Sequence, residues 1–206
     1  MKYIIPIIIL SFLLLGCKKD DDSSTTTTTE LEGTWKTACH SSADYYRIIS
    51  VAVTGTTFVE KNEYHSDSSC ANDNATFEVT FGSLSIGDAQ TFDSYGSSGG
   101  SGAEFTMTLS TNTLTPLNSY TVNLMNTNSF CGDSDWALNT AKSVLGKTCG
   151  GTDYWSANTA AYGLYRLDGG TQLFWSVGTS SPNSVDTGTS DNFTKQKNFI
   201  LSLLAV

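Results

Sequence analysis

The sequence lacks several features, and each absence weighs against one class of function. Lysine and arginine number 11 against 20 aspartates and glutamates. This acidic balance repels phosphate backbones and makes nucleic acid a poor candidate partner. The motif His-Glu-x-x-His does not occur, and a base for a serine nucleophile is not evident. We therefore predict that the protein is not an enzyme and has no cofactor.

Histidine is scarce as well, since His40 and His65 are the only two. The sequence has no Cys-x-x-Cys pair, so a structural zinc site is disfavoured. A metal site built from both histidines and Asp67 is conceivable, but two solvated loop histidines are the preferred interpretation. We therefore predict no metal site.

Hydrophobic runs of membrane-spanning length are missing too. Residues 4–15 read IIPIIILSFLLL and follow Lys2. This run is too short to cross a hydrocarbon core of ~30 Å, which needs about 20 residues. It is typical of the apolar region of a signal peptide. We predict that residues 1–16 are a cleaved signal peptide, with a plain membrane anchor as the alternative.

The run ends at Leu14-Leu15-Gly16-Cys17, which resembles the bacterial lipobox. The resemblance implies that Cys17 carries lipid and anchors the protein to a membrane of the cell envelope, for which the outer membrane is our expectation. Residues 17–30 are rich in Asp, Ser and Thr and cannot bury enough apolar surface to become ordered. We predict a lipidated flexible tether, and its Lys-Lys-Asp-Asp-Asp start resembles signals for display on the cell surface. A merely soluble spacer is the alternative for that short motif.

Proline is rare and long helical patterns are missing, whereas Gly, Ser, Thr and Asn are abundant. Short runs rich in Val, Ile, Thr, Tyr and Phe alternate with polar clusters, which is typical of an all-β domain. After an opening segment at 31–40, we predict strands at 45–54, 57–65, 76–86, 105–114, 120–125, 162–167, 172–178 and 192–204. A single domain over residues 31–206 follows. Its simplest form is an up-and-down antiparallel barrel of about eight strands with one short helix. A β-sandwich is the alternative.

The short helix is predicted over residues 133–146. Asp133 or Ser134 could cap its start, and Gly146 could end it. Helical spacing of apolar residues supports this interpretation, with the stripe formed by Trp136, Leu138, Ala141, Val144 and Leu145.

Four cysteines remain when Cys17 is set aside, and the compartment beyond the inner membrane is oxidising. Four cysteines allow three disulfide connectivities. We favour the two local pairs, Cys39–Cys70 and Cys131–Cys149.

The Gly-x-Trp motif at Gly33 to Trp35 resembles the opening of lipocalins and related barrels. Cys39, the segment from Tyr64 to Cys70 and the Ser-Ile-Gly at residues 85–87 are similar to a group of uncharacterised bacterial lipocalin-like lipoproteins. The resemblance implies that Trp35 closes the base of a barrel and packs against a basic residue from a late strand. We assign that role to Arg166, with Lys195 as the alternative.

A lipocalin-like barrel implies a small hydrophobic or amphipathic ligand in its interior. Candidate interior residues are Tyr45, Phe77, Phe81, Phe105 and Met107. The alternative is a surface interaction protein or adhesin that recognises protein or glycan through its loops, with aromatic anchors near Tyr95, Tyr154 and Trp155. The sequence does not predict the oligomeric state.

Overall fold

The computed structural model describes residues 29–91, 101–179 and 193–196. The predicted signal peptide, Cys17 and Tyr95 lie outside the described residues, as does most of the predicted strand at 192–204.

In chain order, the strands are β1 (Gly33–Lys36), β2 (His40–Ser42), β3 (Tyr45–Thr54), β4 (Thr57–His65), β5 (Asp73–Thr91), β6 (Ser101–Pro116), β7 (Lys142–Ser143), β8 (Thr148–Cys149), β9 (Thr152–Asp153), β10 (Ala160–Asp168), β11 (Gln172–Gly178) and β12 (Phe193–Lys195). One α-helix, α1, spans Ser119–Thr127.

Eight of these strands close into an antiparallel barrel. Strand β1 closes it, because Trp35 pairs with Val51 of β3 on one side and with Lys195 of β12 on the other. Around the barrel the order is β1, β3, β4, β5, β6, β10, β11 and β12, which is their order along the chain. The up-and-down all-β barrel is confirmed, and the β-sandwich alternative is wrong.

Alternation along the strands places apolar side chains inside the barrel, as the two-residue period of a strand requires. Ile49, Val51 and Val53 of β3 are all buried. Aromatic rings fill the middle of the barrel, where the Phe58 ring lies 4.6 Å from Trp175 and 6.4 Å from Phe105, centroid to centroid. The centre is therefore a packed core.

The predicted helix at 133–146 is wrong, and so is the predicted strand at 120–125. Residues 120–125 lie in α1, whose start is capped by Asn118, because its Oδ1 accepts a hydrogen bond from the Thr121 N–H at 2.8 Å. Residues 133–146 instead form turns and β7, with Asn139 at a φ of 55°. Trp136 and Val144 are buried there in a second apolar cluster. Their helical spacing in the sequence therefore reflects this packing and not a helix. Among the described residues, no helix is long and apolar enough to span a bilayer.

Both disulfides have the predicted connectivity. Cys39–Cys70 links the chain before β2 to the β4–β5 loop, and Cys131–Cys149 links a 3-10 helix at Phe130–Gly132 to β8. The paired cysteines are 31 residues apart in the first disulfide and 18 residues apart in the second, so each disulfide closes a local loop.

A glycine lies at the tightest point of the core, and we predict that its substitution destabilises the fold. A Cβ atom at Gly163 would lie 2.1 Å from Cζ of Phe105, because the Phe105 ring lies directly against this backbone. Gly163→Ala should therefore lower the free energy of unfolding by roughly 3 kcal/mol through overpacking, measured by urea denaturation. Gly87→Ala is the matched control in β5, since its Cβ would meet the nearest backbone atom at 3.5 Å. Equal stability of the two variants would contradict this packing.

Candidate ligand-binding site

A long insertion, residues 117–159, connects β6 to β10 and folds over one end of the barrel. The insertion carries α1, the 3-10 helix and the short strands β7, β8 and β9. It has its own apolar cluster around Met125, Trp136 and Val144, which is continued by Leu114 of β6. The insertion therefore covers this barrel end as a packed unit.

A recess of about 220 Å³ remains between the insertion and the barrel interior. The inward faces of the barrel strands form its floor, and the chain around β9 forms its rim. Its lining residues are Glu60, Phe77, Val79, Phe81, Leu109, Asn112, Asp153, Tyr154, Trp155 and Val177. We refer to this space as the recess.

Aromatic rings from the barrel and from the insertion meet across the recess. The ring centroids of Phe77 and Tyr154 are 5.1 Å apart, and those of Phe81 and Trp155 are 6.5 Å apart. Trp155 is half-buried against the barrel core. Both insertion aromatics thus turn toward the barrel interior, which leaves them poorly placed as surface anchors.

Hydrogen-bond acceptors face the same space. Glu60 accepts a hydrogen bond from Asn62 Nδ2 at 2.6 Å, and Asp153 accepts one from Thr148 Oγ1 at 2.5 Å. Asn112 is 4% exposed, and its Oδ1 has no hydrogen-bond partner among the described residues. A buried acceptor without a partner costs about 1–3 kcal/mol, so this atom marks a place where a ligand donor would be stabilised.

Polar aromatics lie beside the recess at the same barrel end. The Tyr45 and Tyr64 rings meet edge to face at 5.0 Å, and Arg47 Nε donates to His40 Nε2 at 3.0 Å. Burial, reinforced by the nearby Tyr45, Tyr154 and Glu60, raises the pKa of Tyr64 to about 12 against the opposing charge of Arg47. Tyr64 therefore remains neutral at physiological pH.

Some of the residues proposed from the sequence as ligand contacts lie at the recess, and others belong to the packed core. Phe77 and Phe81 line the recess, and Tyr45 lies at the same end. Phe105 and Met107 are each 2% exposed and belong to the packed core. Sequence reasoning named Tyr154 and Trp155 only as surface anchors and missed the other lining residues. The alternation of inward residues along β4 could have identified Glu60, because this residue occupies the inward position between Phe58 and Asn62.

At the opposite end, the cation over Trp35 is Lys195, whose Nζ lies 5.0 Å from the ring centroid. Trp35 is fully buried, and its Nε1 donates to the Leu31 carbonyl at 2.8 Å. Arg166, the residue assigned to this role from the sequence, instead lies 4.4 Å over the Phe174 ring. Its neighbours Tyr165 and Leu167 point into the barrel core, so Arg166 points outward.

Gly33, the other residue of the Gly-x-Trp motif, has a φ of 119°, a conformation that favours glycine. A Cβ atom there would lie 3.2 Å from Cε of Lys195. The glycine thus gives the lysine room to reach Trp35.

The barrel is consistent with a lipocalin-like fold. No protein-family model and no curated protein matches the chain.

A second recess, of about 760 Å³, lies at the Trp35 end. Its lining includes Leu84, Ile86, Ala103 and Glu30, whose Oε1 accepts a hydrogen bond from the Tyr165 hydroxyl at 2.5 Å. It adjoins the facing ends of β5 and β6, whose connection lies outside the described residues. The smaller recess is the better-defined candidate because its walls come from continuous described chain.

The histidines do not form the conceivable metal site. His65 is 3% exposed with its Nδ1 3.0 Å from Asp73 Oδ1, so the interpretation of two solvated histidines is wrong for this residue. Asp67 accepts hydrogen bonds within its own loop, and those from Ser69 and Asn72 hold the pKa of its carboxyl well below the usual range. Within the described ranges, no group of three or more metal-ligating side chains is present.

The Cys131–Cys149 disulfide should hold the rim of the recess in place. Cys149 pairs with Thr152, and the next residues are Asp153 to Trp155. Cys131→Ser/Cys149→Ser should cost about 3 kcal/mol of stability in the chain-entropy model. It should also accelerate hydrogen exchange at the Tyr154 amide, which donates to the Lys147 carbonyl at 2.9 Å, as measured by NMR.

Cys39→Ser/Cys70→Ser is the comparison for this experiment, because that disulfide lies outside the insertion. It should leave exchange at the Tyr154 amide unchanged under native conditions. Equal acceleration in both double variants would show that the rim does not depend on its own disulfide.

The raised pKa of Tyr64 predicts a loss of stability at alkaline pH. Above pH 10 the unfolded state releases the phenol proton while the folded state retains it, so the free energy of unfolding falls as pH rises from about 10 to about 12. The contribution is on the order of 2 kcal/mol. Tyr64→Phe should reduce this pH dependence, measured by urea denaturation at successive pH values. An unchanged slope would contradict the burial of this phenol.

Proposed function

We propose that the protein is a binding module that holds a small amphipathic molecule in the recess, and that it performs no catalysis. The observation that carries the proposal is the buried Oδ1 of Asn112, which no described residue satisfies, in a recess lined largely by aromatic side chains. Binding sites for small molecules combine apolar walls with a few placed polar groups. The aromatic walls would bury the apolar part of the ligand, and Asn112 would accept a hydrogen bond from its polar part.

The size of the recess narrows the class of ligand. Typical sites for drug-sized molecules enclose about 300–1,000 Å³, and the recess holds about 220 Å³. The ligand we propose is therefore smaller than most such molecules, with one or two rings or an equivalent apolar part.

We further propose that lipid on Cys17 tethers the module to the cell envelope, at the outer membrane. The chain enters the barrel at the end opposite the recess, where Glu32 Oε1 accepts a hydrogen bond from the N–H of Gly55 in the β3–β4 turn at 2.6 Å. The insertion joins the other ends of the strands. A tether of this kind would direct the recess away from the membrane and toward diffusing ligands.

Recognition of a protein or glycan at the cell surface is the second candidate function. Tyr120 and Leu124 lie one turn apart on α1 and are 74% and 50% exposed, and Leu138 is 49% exposed. Exposed apolar side chains on one unit suit a contact surface. This surface is separate from the recess, so variants can distinguish the two functions.

Filling the recess should abolish small-molecule binding. Val177→Phe adds bulk to a lining residue, and we expect at least a tenfold loss of affinity for 2-naphthol, a neutral amphipathic probe, by isothermal titration calorimetry. Val59→Phe is the matched control, because Val59 alternates with the buried Phe58 and faces outward. It should retain wild-type affinity.

Failure of the wild-type protein to bind 2-naphthol, or equal binding by both variants, would contradict the assignment to the recess. Binding to a surface glycan or protein that survives Val177→Phe but is lost in Tyr120→Ser/Leu124→Ser would favour the second candidate function.

A further inference from the structure

One buried side chain lies where it can select the ligand of the recess. Resting on the proposed function, we infer that the ligand is a planar aromatic molecule with a ring N–H or hydroxyl donor, of the indole or phenol class, and that Asn112 is the residue that selects it. The donor would bind Asn112 Oδ1, and the rings of the ligand would lie between the aromatic side chains of the barrel and those of the insertion.

Asn112 lies on β6 among apolar side chains. It is 4% exposed, Val79 lies directly opposite on β5, and Leu114 lies two residues farther along β6. Val144, the residue after β7, is fully buried, and its N–H donates to the backbone carbonyl of Asn112 at 2.9 Å. These three neighbours have no side-chain donor, and Oδ1 has no hydrogen-bond partner among the described residues. Because Asn112 lines the recess, a donor can reach it from that space.

A buried acceptor of this kind discriminates between ligands through the cost of leaving it unpaired. A purely apolar ligand would displace water from the recess and leave Oδ1 without a donor. A ligand with one suitably placed donor avoids this cost. Sites built around such a hydrogen bond therefore reject an analogue without the donor more strongly than apolar pockets reject the loss of a methylene.

The walls of the recess favour a planar ring system. The Phe77 and Tyr154 rings are tilted by 43° at a centroid separation of 5.1 Å, and the Phe81 and Trp155 rings by 71° at 6.5 Å. Aromatic rings attract one another in offset stacks and edge to face at such separations. A flat ligand among these four rings can make contacts of both kinds, and the volume of about 220 Å³ limits it to one or two rings.

The test compares indole with indene, which share a fused-ring shape and differ chiefly in the N–H of indole, a CH₂ in indene. Both are uncharged, so ion pairs around the recess act on them alike. Burial alone favours indene, because it has no polar group that must leave water. We expect the full chain, folded with both disulfides, to bind indole at least tenfold more tightly, measured by displacement of 2-naphthol in isothermal titration calorimetry.

A variant without the acceptor locates this preference at Asn112. Asn112→Leu removes the acceptor with little change in side-chain size, and it should abolish the preference, so that indene binds at least as tightly as indole. Thr111→Val is the matched control, because Thr111 is the preceding residue of β6 and is exposed. It should retain the preference for indole.

The same substitution gives a second readout that needs no ligand. Asn112→Leu should raise the midpoint of urea denaturation, because it replaces an acceptor that no described residue satisfies by an apolar group among apolar neighbours. Asn62→Leu is the matched comparison, since Asn62 is 5% exposed but its Nδ2 donates to Glu60 at 2.6 Å. It should lower the midpoint. An equal fall in both variants would show that Asn112 is satisfied within the fold, and the inference would be wrong.

Three binding results would overturn the inference: failure of indole to displace 2-naphthol, wild-type binding of indene as tight as that of indole, or an indole preference that persists in Asn112→Leu. If 2-naphthol still binds and Val177→Phe still abolishes its binding, the proposed function survives each of these results. If 2-naphthol, indole and indene all fail to bind, the proposed function itself is wrong.

Discussion

The pairing of β1 with both β3 and β12 is the constraint on which the rest of the structure depends. Without it, the sheet would expose two edges, and its inward side chains would face water. Once the barrel is closed, each strand has one inward face, and the aromatic rings around Phe58 and Phe105 share a confined interior. The Phe105 ring lies so close to the backbone of β10 that only a glycine fits at position 163. Closure therefore fixes the packing of the core.

The position of the recess follows from this packed core. Because the aromatic rings occupy the middle of the barrel, space for a ligand remains toward the ends. The insertion covers one end through Tyr154 and Trp155, and its disulfide lies beside the hairpin that carries them. Barrel strands thus supply Glu60 and Asn112, while the insertion supplies Asp153, Tyr154 and Trp155. We expect ligand specificity to be controlled mainly by the residues at this junction.

The sequence predicted the barrel strands well because alternation is a local property that buried faces impose on each strand. The β3, β4, β10 and β11 strands overlap their predicted ranges closely. The helix was wrong because Trp136 and Val144 are buried by a cluster that includes Leu114 of β6, and burial alone can mimic helical spacing. In α1, the residues Tyr120 to Val122 favoured a strand when the sequence alone was considered. The segment is helical because β6 ends at Pro116 and Asn118 caps the start of the helix.

The sequence by itself determined the all-β class, the inward faces of most barrel strands and a preference for local disulfides. Each of these depends on residues close together in the chain. Only the tertiary structure decided that Lys195 rather than Arg166 lies over Trp35, and that Glu60, Asn112 and Trp155 share one recess. These contacts join residues far apart in sequence, and their formation depends on barrel closure and on the path of the insertion, which local patterns do not encode.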